Sequence, residues 1–203
     1  GAIQTVVLRN GVLVLGVLAG LLSGLFSYQW DPAVLIPVLG LGILGYVALQ
    51  FFYKGLGVGK VGVVVPIASS YPLITVLLAV VFFGEALSFV HAGAIALIIL
   101  GSIFLSARVE DWKKPFRIHI NEGVVFALLT CVGWGIWYFY SKVPVSMVGP
   151  ILTSLLVELA IFLVAGFHFA ISKQKWISID WKLGKWVVLA GILGAIGSFS
   201  YNF

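Results

Sequence analysis

Glu158 is the one acidic residue that falls deep inside an apolar run; it is the tenth residue of the 23-residue stretch 149–171. A charged side chain at the centre of a bilayer costs about 3 kcal/mol or more unless it faces a cavity or a partner. Taking a carboxylate out of water disfavours its charged form, so such a group can load and release a proton. A proton- or cation-coupled carrier needs that chemistry. The structural alternative is a protonated Glu158 hydrogen-bonded to a neighbouring helix.

Three amides also interrupt apolar runs: Asn10, Gln50 and Asn202. An amide both donates and accepts, which suits a polar substrate. In lipid it can equally hold two helices together. Pro66 and Pro72 bracket Ser69, Ser70 and Tyr71. Each proline removes a donor and frees a carbonyl one turn back. Such a pair marks a kink or break beside a substrate path. The hydroxyls could touch substrate or merely re-satisfy the freed carbonyls. Trp134 and Tyr138 are four residues apart and share a helix face. They could line a cavity; with Trp137 and Tyr140 they could also serve packing and an interfacial belt.

Other residues suggest no chemistry. His91, His119 and His168 have no ligand spacing, so no metal site and no cofactor are expected. Cys131 is alone, which excludes a disulfide scaffold. Glu85 ends a run and suits a cap. Gly57-Val58-Gly59-Lys60 lacks the spacing of a phosphate loop. Gly16, Gly20 and Gly24 form a small-residue row that permits close helix contact, within the chain or as a homodimer face.

The elements that must position these residues follow from composition. Charged residues make up 9% of the 203, and hydrophobic ones 62%. A soluble domain carries about 25% charged residues. Too little polar surface remains to cover a water-facing globule, so the chain is expected to be an integral protein of the lipid bilayer. The net charge of +5 is spread between apolar runs, which gives no nucleic-acid surface.

Seven runs are long enough to cross a bilayer: 6–28, 34–53, 61–83, 88–107, 122–141, 149–171 and 186–203. They are apolar on all faces, so an all-α bundle of seven transmembrane helices is expected rather than a barrel. Seven alternating spans put eleven of the twelve Lys and Arg residues on one side and Lys142 on the other. Basic loops stay cytoplasmic, which would place the 108–121 loop inside.

A shift of 148 lays residues 1–5 on 149–153 and Asn10 on Glu158. A shift of 152 lays Gly45 on Gly197, Gln50 on Asn202 and Phe51 on Phe203. Two ordered matches at nearly equal shifts indicate an internal repeat. Completing each copy from the other gives a five-helix unit. Two such units, inserted in opposite orientations, make a ten-helix inverted-repeat transporter fold. On this reading, residues 1–107 are a first repeat lacking its first helix, and 108–121 is a linker. Residues 122–203 are then a second repeat lacking its last two helices. The chain would be the middle of a longer protein, and its Gly1 start agrees.

The stretch Val64-Val65-Pro66-Ile67-Ala68-Ser69-Ser70-Tyr71-Pro72-Leu73-Ile74-Thr75 is followed by Phe83-Gly84-Glu85-Ala86-Leu87-Ser88 and then by Gly93 and Gly101. It resembles the closing two helices of an EamA-type repeat of the drug/metabolite transporter superfamily. Gly133-Trp134-Gly135 resembles the Trp-Gly of that repeat's first helix, and Gln50 to Lys54 resembles its third. The resemblance implies a ten-helix secondary carrier of small-molecule metabolites that uses no ATP. It names no substrate, because the superfamily spans amino acids, nucleotide-sugars, drugs and lipid-linked sugars. The superfamily's ten-helix members usually have both termini in the cytoplasm, opposite to the charge count.

Three functions follow as expectations. The first is a permease or exporter of the cell membrane, proton-coupled through Glu158. The second is a non-transporting membrane scaffold or assembly subunit. The third, an intramembrane enzyme, is disfavoured because the spans hold no acid pair, histidine pair or Ser/Lys dyad.

Overall fold

Asp31 and Asn121 show how polar residues start these helices. The Asp31 carboxylate accepts from the Ala33 amide at 2.9 Å, and Pro32 takes the next position, where no donor is needed. The Asn121 side chain accepts from the Val124 amide at 3.0 Å. Gly84 and Gly149 end or join helices with φ of +62° and +83°, a region glycine enters without strain.

In a computed structural model the chain is helical, with no strand among the described residues, which are 2–24, 29–84, 86, 88–106, 121–172, 176 and 181–200. The helices are α1 (Ala2–Leu22), α2 (Leu35–Val58), α3 (Val61–Ser69) and α4 (Tyr71–Phe83). They continue as α5 (Phe89–Ser106), α6 (Glu122–Val148), α7 (Pro150–Ile171) and α8 (Trp181–Ser200). A 3-10 turn, Pro32–Val34, leads into α2. Among the described residues, five spans are long and apolar enough to cross a membrane: 3–22, 32–58, 61–83, 122–148 and 150–171. The chain is therefore an all-α multi-pass membrane protein.

The differences from expectation have physical causes. The third run is two helices, α3 and α4, broken at Ser70. Pro72 cannot donate back across the break. The first helix starts at Ala2, four residues earlier than its apolar run, and the polar Gln4 within it is buried at 2% exposure. The fifth apolar run, 122–141, becomes α6 and continues through Pro144 to Val148. Arg9 and Lys142 consequently sit further inside helices than the apolar runs 6–28 and 122–141 place them. Glu85, the 108–120 loop and Asn202 fall outside the described residues.

Two compact units divide the chain, residues 1–46 with 140–203, and residues 47–139. In the first, α1 packs on α7 and α8 around Leu13, Val17, Ile151 and Ala195. Small residues allow the approach. A β-carbon at Gly16 would stand 2.7 Å from that of Ala195, and one at Gly42 would stand 2.5 Å from that of Ala160. Gly16 thus packs against α8, and Gly24 lies beyond the last residue of α1, so the Gly16/Gly20/Gly24 row is not one continuous helix face.

In the second unit the end of α2 packs on the start of α6. Phe51 stacks on Phe126, and Gly59 meets Gly123 backbone to backbone. The α4 helix packs on α6 through Thr75, whose hydroxyl donates to the Gly135 carbonyl at 3.0 Å. Large apolar side chains such as Leu15, Ile36, Val81 and Leu97 point outward, as lipid contact requires.

Candidate functional site

The polar centre of the first unit is a chain of three side chains on α1 and α7. Asn10 is fully buried, and its Nδ2 donates to Glu158 Oε2 at 2.5 Å. Arg9 Nη1 donates to Asn10 Oδ1 at 3.1 Å. A guanidinium only donates, so the amide oxygen must face Arg9 and the amide nitrogen must face Glu158. Glu158 is half-buried and lies within electrostatic reach of the Arg9 charge.

Helix geometry explains how Arg9 fits. Its carbonyl faces Gly191 of α8, where a β-carbon would stand 2.8 Å away. Its Nη2 passes Gly194 at 3.6 Å from where a β-carbon would be. The two glycines sit one turn apart on α8 and leave room for the long side chain. On the other flank Gly11 admits the Phe162 ring.

The 148-residue shift sets Asn10 and Glu158 as equivalent positions, and in the structure the two are in contact. It does not reveal Arg9, which looks like a helix-end charge when the span is started at Val6. The usable signal is position: Arg9 is next to the residue that the repeat pairs with Glu158. A second pair has no sequence signal. The Tyr46 hydroxyl and His168 Nδ1 are 2.5 Å apart, with the rings edge to face.

The second unit gathers Ser70, Tyr71, Pro66, Pro72, Trp134 and Tyr138 at the α3–α4 break. Tyr71 stacks on Tyr138 with centroids 4.6 Å apart and meets Trp134 edge-on at 5.9 Å. Phe52 covers the other flank of Trp134 at 5.1 Å. These rings are packed on one another. Ser70 donates its hydroxyl to the Pro66 carbonyl at 2.9 Å, while its amide turns to Ile67. Ser70 therefore satisfies a carbonyl that the break leaves without its usual amide; Ser69 is half-buried beside it. Gln50 has a buried Nε2 with no hydrogen-bond partner among the described residues.

Ser70→Ala is expected to lower stability by about 1 kcal/mol, because it leaves that carbonyl unpaired. Thermal unfolding in detergent checks this. An unchanged midpoint would mean that another donor takes the carbonyl.

The sequence model of the EamA-like transporter family matches residues 2–107, which is α1 through the end of α5. A search among curated proteins returns no match.

Proposed function

Because the chain belongs to the EamA-like transporter family, we propose that it is a secondary carrier of small metabolites, coupled to protons or cations through Glu158. The observation that carries this reading is the Arg9–Asn10–Glu158 chain, set between two apolar helices. Ionisable groups inside a span are costly to keep and usually mark an ion or substrate path. An acid that can hold either a proton or a cationic group, but not both, links one flux to the other.

The ten-helix inverted repeat belongs to the same reading, with residues 1–107 and 122–203 as parts of its two copies. Its support is geometric. Two positions related by a two-fold can touch only beside the axis. Asn10 and Glu158 are related by the repeat shift and touch. A site on the axis is where alternating access needs it, because the two repeats rock about that line.

The test is uptake into proteoliposomes under an imposed pH gradient, with a panel of labelled amino acids, nucleosides and cationic dyes. Gradient-driven accumulation of at least one of these is expected with the native protein. Glu158→Gln should abolish it while leaving downhill exchange measurable. Accumulation equal to wild type in Glu158→Gln would remove Glu158 from coupling. The absence of any flux from the native protein would favour the scaffold reading.

A further inference from the structure

The α1 helix carries a positive charge within its span. Arg9 is the eighth residue of the 21-residue helix α1 and half-buried. An arginine at such a depth needs an acceptor. Among the described residues its acceptor is the Asn10 amide, which passes the contact on to Glu158. We propose that Arg9 is the counter-charge of Glu158, acting through Asn10, and that the three residues form a latch between α1 and α7 that opens when Glu158 takes up a cation. This rests on the coupling role of Glu158 proposed above.

Donor and acceptor bookkeeping supports the latch. Arg9 fixes Asn10 with its nitrogen towards Glu158. Glu158 must then present a lone pair at Oε2. An ionised carboxylate does this with both oxygens. A cargo ammonium or a proton competes for the same lone pairs, and its charge repels Arg9. The empty chain is neutral as a whole, whereas the loaded one carries an excess positive charge inside an apolar span. Loading therefore weakens the Asn10–Glu158 bond that joins α1 to α7 here, and with it the Arg9–Asn10 bond that orients the amide.

Two other basic groups on these helices have contacts of their own. His168 lies ten residues further along α7 and is bound to Tyr46. Lys185 lies near the start of α8, with its ammonium 5.3 Å from the Trp186 ring centre. At the level of Arg9, α8 presents Gly191 and Gly194. Among the described side chains, Arg9 is thus the positive group that the hydrogen bonds link to Glu158. It is a positioning residue, since its contact with Glu158 runs through Asn10.

The experiment is infrared spectroscopy of the purified protein at neutral pH, reading the C=O stretch of a protonated carboxylic acid. Arg9→Gln should raise the protonated-to-ionised ratio of Glu158 about tenfold or more. The added band should vanish in Arg9→Gln/Glu158→Gln. Arg9→Lys, which keeps the charge, should restore the wild-type spectrum. In proteoliposomes the charge-reversed pair Arg9→Glu/Glu158→Arg should recover more gradient-driven uptake than either single change. An Arg9→Gln spectrum identical to wild type would overturn the proposal, whatever the transport result. Failure of Glu158→Gln to alter uptake, with the spectral change present, would instead overturn the coupling reading and leave the counter-charge in place.

Discussion

Asn10→Leu is expected to cost about 2–4 kcal/mol of stability, and removing Arg9 and Glu158 as well should return most of it. The leucine has nearly the shape of asparagine but no polar atoms. It would leave a guanidinium and a carboxylate in an apolar span with the amide between them gone. Each loses a partner and keeps the cost of burial. In the triple variant Arg9→Met/Asn10→Leu/Glu158→Leu no charge remains to be buried. Replacement of a whole buried ionic group by apolar side chains is often neutral or stabilising. The triple variant should therefore unfold within about 1 kcal/mol of the native protein, or above it, while its gradient-driven uptake is lost. The three changes would then be strongly non-additive, as residues in one network are. Unfolding in detergent together with uptake in vesicles separates the two effects. Additive losses in stability would mean that the three residues do not act as one unit. A stable, inactive triple variant would show that the charges serve function at the expense of stability.

The composition made the membrane class and the helix positions readable, because apolar runs of this length have few other uses. The polar chain was half readable. The repeat shift singles out Asn10 beside Glu158 from few identities, but it pairs them as equivalent positions, and that they touch is seen in the structure alone. Arg9 escaped because its role depends on where α1 begins. Gln4 and Thr5 look like a polar boundary, yet Gln4 is buried and the helix runs through it. Burial of that kind is decided by neighbouring helices, which a single apolar run does not show. The break at Ser70 follows from the two prolines, but which serine would satisfy the stranded carbonyl does not. That choice depends on side-chain direction along α3, and the two serines are adjacent in sequence.

Gly123 illustrates the part of the packing that composition hides, and its replacement should have the largest effect on stability in the second unit. A glycine near the start of an apolar run has several uses, and the Gly57-Val58-Gly59-Lys60 stretch resembles a loop more than a helix contact. In the structure a β-carbon at Gly123 would stand 2.5 Å from Gly59 Cα and 3.0 Å from Gly59 N. The obstacle is backbone, so no side chain can swing aside to make room. Gly123→Ala must separate α2 from α6 along the segment that also holds the Phe51–Phe126 stack and the approach of Gly55 to Phe126. Overpacking of this kind costs about 1–3 kcal/mol, and the loss here should lie at the upper end. Gly57→Ala is the control. It lies in the last turn of α2, two residues before Gly59, with nothing within 4 Å of the added carbon. Alanine is the better helix former by about 1 kcal/mol, so this variant should be neutral or slightly stabilised. Thermal unfolding of both variants in the same detergent decides the matter. A drop confined to Gly123→Ala means that the close backbone approach holds α2 to α6. Equal midpoints would mean that the two helices can part at this point without loss, and that the aromatic contacts beside it carry the packing.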